Sequence, residues 1–575
     1  MKSSWGKWLP ILEWLPNYRR QEAMKDILAA IIVTLMLIPQ SLAYAMVAGL
    51  PPVTGLYASI LPLVLYALLG TSKTLAVGPV AVISLMTAEA ITPLHAVGTP
   101  AYLTTAATLA FLSGIILLAM AIFRLGFLTT FLSHPVLSGF MTASGIIIVI
   151  GQLSPILGIS LQEERLANVW LVMQKINPYT MMIGVGSLAI LLIGRRYLSP
   201  LLIKLRFPPS WAGHATKLLP VMVMGVSTLL VIRFELTELG VSVVGQVPSG
   251  LPHFSLPILE LALIRDLLPA AVLISVIGFV ESASVGQTLA AKRRQRIEPN
   301  QELVALSGAN IASAMQGGFP VTGGLSRSVV NYDAGAETPL AGALTAVGIA
   351  MTVLFFTSIF TYLPHAVLAA IIIVAVSSLI DIKGIFSTWQ TAKSDGVVMV
   401  ATILGVLVFN IELGILLGVA LSLALFLWRT SRPHIAVVGR IEGTEHFRNV
   451  QRFQVVESKT VLTLRIDESL YFANARYLED KVPEYLAQYP DAQSLVLMLS
   501  GVNRIDASAL ESLSLIAERL KEAGVQMHLS EVKGPVMDEM KHSPFFAHFT
   551  GKIFISQYQA FTALTQSERT EEKTQ

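Results

Sequence analysis

Two ionisable residues stand where long apolar runs make charge expensive: Arg327 in Leu325-Ser326-Arg327-Ser328, and Glu281 in Ile277-Gly278-Phe279-Val280-Glu281-Ser282-Ala283-Ser284. An uncompensated charge in hydrocarbon costs several kcal/mol, so each needs a partner or water and each marks a candidate functional site. Arg327 can act as a fixed positive charge beside a bound anion; it can equally pair with a carboxylate such as Glu281, or reach the interface. Burial favours the protonated form of Glu281 and a neighbouring Arg favours the carboxylate, so this group can exchange a proton as an anion loads and leaves. The alternative is a permanent Glu–Arg structural pair. Upstream, Pro39-Gln40-Ser41-Leu42-Ala43-Tyr44-Ala45 interrupts an apolar run with polar groups, and Gln40 and Tyr44 share one helix face at i and i+4. They can contact cargo or bond to neighbouring helices.

The backbone offers a second kind of chemistry. Segments 74–91 and 318–336 are broken by Ala76-Val77-Gly78-Pro79-Val80 and Gly317-Gly318-Phe319-Pro320-Val321. Non-helical backbone survives at membrane depth only where protein or a water-filled cavity satisfies it, so paired breaks point to a transport site. Helices that start there, near Val80 and Thr322, would present unpaired N–H groups and a partial positive charge to an anion. Val80, Ala81, Thr322, Gly323, Gly324, Ser326 and Arg327 are the candidate ligands: glycines admit close backbone approach and hydroxyls donate. No spacing resembles a metal site, a P-loop or a nucleophile with its base, so neither an enzyme nor a cofactor is expected. The chain has no cysteine, which excludes disulfides and thiolate chemistry. Its net charge of +3 over 575 residues gives no footing for nucleic acid.

These residues need a membrane scaffold to hold them. The sequence is 54% hydrophobic and 13% charged, far from the roughly 25% charged of a soluble chain. Apolar segments able to cross about 30 Å of hydrocarbon occur near 27–48, 55–70, 102–122, 136–158, 179–197, 214–233, 267–290, 300–316, 340–360, 363–380, 396–410 and 412–428. With the two broken segments the total is about fourteen, and the breaks fall third and tenth, at equivalent places in two halves of seven. That pattern predicts an inverted repeat. Lys73, Arg124, Arg195 with Arg196, Lys292 through Arg296, Lys383 with Lys393, and Arg429 with Arg432 all fall on the side of the N-terminus. Basic loops mark the cytoplasm, so both termini are expected there and the protein in the cell (inner) membrane. His134, His365 and Glu89 fall near span ends.

The predicted boundaries are a cytoplasmic N-terminal segment 1–25, a transport domain 26–431, a soluble domain 432–562 and a disordered tail 563–575. After Arg432-Pro433, strand-length runs Val461–Ile466, Ser494–Leu499 and Val525–Leu529 alternate with helical patterns at Ala475–Ala487 and Ala507–Glu522. The alternation predicts a layered α/β fold.

Gly55-Leu56-Tyr57-Ala58-Ser59, Tyr66 and Gly70-Thr71-Ser72-Lys73 resemble the second-span pattern of the SulP sulfate permease family. Gln40-Ser41-Leu42-Ala43-Tyr44-Ala45, Val77-Gly78-Pro79-Val80-Ala81, Glu281-Ser282 and Phe319 through Ser328 are similar to its first, third, eighth and tenth spans. The resemblance implies a core of spans 1–4 and 8–11 that moves like an elevator against a gate of spans 5–7 and 12–14. Gln40, Tyr44, Glu281, Ser326 and Arg327 match its site, with Glu281 leaning toward proton coupling. Leu499 through Leu510 is similar to a STAS domain, shared by these transporters and anti-sigma factor antagonists. In the antagonists a hydroxyl residue after Asp is phosphorylated. By that likeness Asp506 and Ser508 are the regulatory candidates here; Ala507 and Ala509 depart from the pattern, which favours packing or dimer contact over a phosphoswitch at Ser508. A homodimer, bilayer lipid and a cytoplasmic partner of the STAS domain are further implied contacts. The expected function is secondary active, proton-coupled sulfate uptake; bicarbonate or a C4-dicarboxylate is the alternative within that class. A membrane sensor or scaffold acting through the STAS domain is the alternative from another.

Overall fold

The computed structural model describes residues 9–130, 133–159, 176–257 and 259–571. Lys2 and Lys7, most of the loop 159–178 and the end of the expected tail therefore lie outside the described residues. The chain forms two compact units, Met1–Val419 and Ala420–Gln575. Their boundary falls inside the last apolar helix, ahead of the composition change at Arg432.

The membrane unit is a polytopic helical fold of fourteen segments in a seven-plus-seven inverted repeat. Spans 1 to 7 are Arg20–Val47, Pro52–Leu69, Ala81–Ile91, Pro100–Ile122, His134–Leu157, Pro178–Lys204 and Pro209–Arg233. Spans 8 to 14 are Leu261–Lys292, Pro299–Met315, Leu325–Asp333, Leu340–Phe355, His365–Val376 with Ile382–Thr391, Lys393–Val408 and Ile411–Thr430. Among the described residues nine helices are long and apolar enough to cross a membrane, fewer than the twelve unbroken segments expected. Spans 9, 11 and 13 are shorter than a full crossing.

Several spans start at proline, at Pro52, Pro100, Pro178, Pro209 and Pro299, where the missing N–H is one of the unpaired first-turn donors anyway. Inside the spans, hydroxyls bond the carbonyl one turn back, as at Thr87, Thr108, Ser275, Thr345 and Thr402. Polar side chains thus reach a partner without water. Span 1 runs helical straight through Pro39, so the polar stretch there does not break it. Spans 4, 2 and 8 pack with span 9 or with one another, and span 11 packs on spans 1 and 2. Spans 5, 6, 7, 12 and 13 form a second group. Two buried carboxylates tie the halves together. Asp26 of span 1 accepts from the backbone of Glu337 (2.7 Å) and Thr338 (3.2 Å), from the Thr338 hydroxyl (2.6 Å) and from Tyr18 Oη (3.0 Å). Glu302 of span 9 accepts from Tyr66 Oη (2.7 Å), both donors of Thr71 (2.8 and 2.5 Å) and the Ser72 N–H (3.1 Å). Each carboxylate is fully buried with its oxygens saturated, the condition under which burial of charge is tolerable.

The two breaks meet each other. β1 (Val77–Gly78) pairs antiparallel with β2 (Thr322–Gly323), Val77 opposite Gly323 and Gly78 opposite Thr322. Ala76 continues the ladder by accepting from the Gly324 N–H at 3.3 Å. Antiparallel pairing of equivalent residues is what a two-fold in the membrane plane requires of an inverted repeat. Side chains complete the backbone pairing. Asn310 of span 9 both accepts from the Val321 N–H (3.0 Å) and donates to its carbonyl (2.9 Å). Ser328 accepts from the Ala76 N–H (3.0 Å), and Asn331 donates to the Thr74 carbonyl (3.1 Å). At Gly78 there is no room for more: a Cβ would lie 2.6 Å from Arg327 Nη1.

The second unit holds a six-stranded sheet in the order β4-β3-β5-β6-β7-β8. β3 (Ile435–Arg440) runs antiparallel to β4 (Phe447–Asn449) and β5 (Val461–Ile466). β5, β6 (Ser494–Met498), β7 (Gln526–Ser530) and β8 (Ile553–Phe554) are parallel. Helices Ala475–Leu486 and Ala507–Glu522 stand where the sequence pattern puts them. The expected tail is different over its described residues 563–571, which continue a helix, Gln557–Glu571, anchored by Gln557, which accepts from Ser530 (2.5 Å) and donates to Thr463 (3.0 Å). Phe561 packs edge-on against Phe447. Polar composition hid an amphipathic helix that needs the sheet to fold against.

Two predictions follow from these contacts. Gly78→Ala forces the buried Arg327 guanidinium to move and should destabilise the solubilised protein by about 1–3 kcal/mol. Gly151→Ala, where a Cβ meets nothing within 4 Å, serves as the control. Equal thermal unfolding of the two variants would contradict the contact. His528 on β7 is buried, its Nδ1 accepts from the Lys552 N–H at 3.0 Å, and Nε2 meets no partner. Burial, then the nearby Lys552 charge, holds its pKa below the ordinary 6.5. The neutral ring's contribution to stability is therefore complete above the unfolded value and lost as pH falls below it. Hydrogen exchange of β7 and β8 amides, corrected for intrinsic rate, should show protection falling as pH drops below about 6.5. A His528→Asn chain should not, and an unchanged wild-type profile would refute the assignment.

Candidate functional site

The uncoiled backbone of each break ends in a half-helix. Span 3 starts after Val80 and span 10 after Gly324, two residues later than the Thr322 start expected. Neither N-terminus has a side-chain cap. Their first-turn N–H groups and the positive ends of both helix dipoles are thus left for whatever occupies the space in front of them.

That space is a cavity of about 410 Å³ between the two groups of spans. Gln40, Tyr44, Val80, Ala81, Glu281, Gly324, Ser326 and Arg327 all line it. Eight of the ten transport-site residues singled out in the sequence therefore face one enclosure, although they come from spans 1, 3, 8 and 10. Gln40 and Tyr44 lie on the same face of span 1, as their spacing required. Ser326 is exposed to the cavity and immediately precedes Arg327, whose side chain is buried.

The electrostatics are unusual for a buried site. Arg327 makes one long hydrogen bond, from Nη2 to the Thr322 carbonyl at 3.5 Å, and its Nη1 has no partner. Glu281 Oε2 and Gln40 Oε1 are likewise buried without partners. Glu281 and Arg327 lie within electrostatic reach of one another and of Tyr44. Among the described residues no salt bridge of 4 Å or less joins them, in contrast to pairs such as Lys217–Asp333 at 3.2 Å. A buried guanidinium and a carboxyl group, held apart beneath two uncapped helix ends, leave unmatched donors and positive charge facing one cavity, an arrangement chemically suited to an anion.

Two expectations need correction. Thr322 and Gly323 do not face the cavity. The Thr322 hydroxyl donates to the Gly278 carbonyl at 2.6 Å, and the Gly323 N–H is bound by Ser282 Oγ at 2.8 Å, so neither has a donor to offer. They position the half-helix from behind. In the second unit, Asp506 caps helix Ala507–Glu522 by accepting from the Ala509 N–H at 2.9 Å and also takes the Phe472 N–H at 2.8 Å. Ser508 in the first turn is exposed, so internal packing is not its role.

Sequence reasoning missed other contributors. Asn310 clamps the span 10 break, and its signal was an amide in the middle of an apolar span. Lys217 of span 7 and Asp333 at the end of span 10 line the mouth of the cavity together with Arg195 of span 6. These lie near span ends, where charge carries no signal of its own.

Comparison with known proteins places the chain. A sulfate permease family model matches residues 24–402 and a STAS domain model residues 452–560. The "Probable sulfate transporter 4.2" of Arabidopsis thaliana is 36% identical over 92% of this chain and 79% of its own length. The "High affinity sulfate transporter 2" of Stylosanthes hamata is 32% identical over 95% and 85% respectively. The murine Slc26a9 anion transporter in its inward-facing state superposes with a TM-score of 0.86 at 25% identity, covering 98% of this chain and 94% of that one. The transmembrane domain of the cyanobacterial bicarbonate transporter BicA shares the fold, with a TM-score of 0.59 at 22% identity over 70% of this chain and 98% of that one. A family model and relatives that span nearly the whole sequence, together with the paired breaks and the cavity they face, make this chain a member of the sulfate permease family with a C-terminal STAS domain.

Proposed function

We propose that this protein is a secondary active transporter that takes up sulfate with protons, moving the core spans 1–4 and 8–11 as an elevator against the gate. The observation that carries the reading is the unpartnered pair, Arg327 Nη1 and Glu281 Oε2, lining one cavity beneath two uncapped helix N-termini. The named sulfate transporters among its relatives supply the substrate. Arg327 supplies fixed positive charge, the first-turn amides of spans 3 and 10 supply directional donors, and Ser326 and Gln40 supply polar contacts. Glu281 is the proton carrier. In its protonated form it removes a negative charge from beside the anion; in its ionised form it repels the anion and favours release. Binding of anion and proton are thereby linked, each favouring the other.

Basic loops orient the chain with both termini in the cytoplasm of the inner membrane. On that orientation the cavity mouth at Arg195, Lys217 and Asp333 lies on the cytoplasmic side, which corresponds to an inward-facing state. A homodimer and a cytoplasmic partner for the STAS domain belong to the same reading.

Uptake of labelled sulfate into proteoliposomes under an imposed pH gradient tests the proposal, with bicarbonate and a C4-dicarboxylate as competitors. Glu281→Gln should transport without responding to the gradient; a retained response removes the proton role from this residue. Arg327→Ala loses a charge-assisted contact and should raise the apparent KM for sulfate by at least about tenfold. Normal uptake by that variant would remove the anion seat from this cavity.

A further inference from the structure

Behind the cavity, a chain of hydrogen bonds with a fixed direction joins span 8 to the break of span 10. The Gly323 N–H donates to Ser282 Oγ at 2.8 Å, and the Thr322 hydroxyl donates to the Gly278 carbonyl at 2.6 Å. The 2.6 Å contact between Ser282 Oγ and Thr322 Oγ1 must then be donated by Ser282, since the Thr322 hydrogen is already engaged. Ser282 is fully buried and Thr322 is 2% exposed, so water does not compete for these bonds. Gly278 contributes by its size: a Cβ there would sit 3.2 Å from Thr322 Oγ1.

The chain connects the two elements that hold the ionisable groups. Ser282 follows Glu281 on span 8, so the face that grips the break lies about 100° round the helix from the carboxyl that lines the cavity. On the other side, Thr322 and Gly323 lead directly into the half-helix that carries Arg327. In a medium of low dielectric the interaction between two charges varies steeply with their separation. A slip of span 8 against the break therefore changes how strongly Arg327 and a bound anion bias the protonation of Glu281.

We propose that Ser282 and Thr322 are positioning residues for proton coupling: their hydroxyl chain holds Glu281 in register with Arg327 and the two half-helix N-termini. This rests on the transport reading above and adds the device that sets the coupling. The test uses the reconstituted full-length chain and measures sulfate KM, the pH midpoint of uptake and thermal unfolding. Ser282→Ala and Thr322→Val should each raise KM about fivefold and shift the midpoint by about half a unit or more, the scale of one net hydrogen bond. Thr322→Ser keeps the hydroxyl and should restore both quantities. The double variant should be no worse than either single one, because each breaks the same chain. Should Ser282→Ala fail to fold, Thr322→Val reads the same link. An unmoved midpoint, with or without a lower unfolding temperature, reduces the chain to a structural contact and overturns the proposal. If Glu281→Gln abolishes the pH response while the hydroxyl variants leave the midpoint in place, this proposal alone fails. If Glu281→Gln keeps the response, the underlying reading fails instead.

Discussion

Two stretches of backbone leave the helical state in the middle of a membrane unit, and the residues at the centre of each are buried. Each solves the other's problem: β1 and β2 pair antiparallel, and the Gly324 N–H extends the ladder to Ala76. In hydrocarbon an unpaired peptide group costs several kcal/mol, so the breaks are stable only together. Asn310, Ser328 and Asn331 then close the remaining valences from spans 9 and 10. Once the breaks are anchored in this way, the half-helices beyond them begin side by side with their donors facing one enclosure.

Charge follows the same logic. Asp26 and Glu302 are buried and saturated by donors, which makes them structural clamps between the two halves. Arg327 and Glu281 are buried and unsaturated, and both line the same cavity. The contrast between these pairs separates scaffold from site more sharply than burial or composition does. It also explains why the wall behind the site is built of small and hydroxyl-bearing residues. Gly78 and Gly278 let the Arg327 guanidinium and the Thr322 hydroxyl approach closely, where a Cβ would crowd them.

Much of this was legible in the sequence. The matched Gly and Pro interruptions at third and tenth position gave the paired breaks, because few other reasons place such residues twice at equivalent points of a repeat. Arg327 and Glu281 were visible because charge within apolar runs is rare. The strands and helices of the STAS domain were readable from periodicity at Val461–Ile466 and Ala507–Glu522. What the sequence concealed is pairing over distance. Thr322 read as a donor to cargo because its partner, the Gly278 carbonyl, belongs to another span. Asn310 and Glu302 were not singled out in the sequence, because the groups they bond lie elsewhere in the chain. The described part of the tail expected at 563–575 continues the helix Gln557–Glu571, whose first turn is held to the sheet by Thr463 and Ser530, a contact that the polar composition of the tail does not announce.

The proposed function rests on the cavity in front of the two half-helices, at the point where the repeat folds back on itself. The direct examination of that cavity is a crystal or cryo-EM structure with selenate, an anomalously scattering analogue of sulfate. Selenate density is expected in front of the first turns of spans 3 and 10, within hydrogen-bonding distance of Arg327 and Ser326. Density confined to the cavity mouth at Lys217 and Arg195, or none at a saturating concentration, would contradict the proposed function.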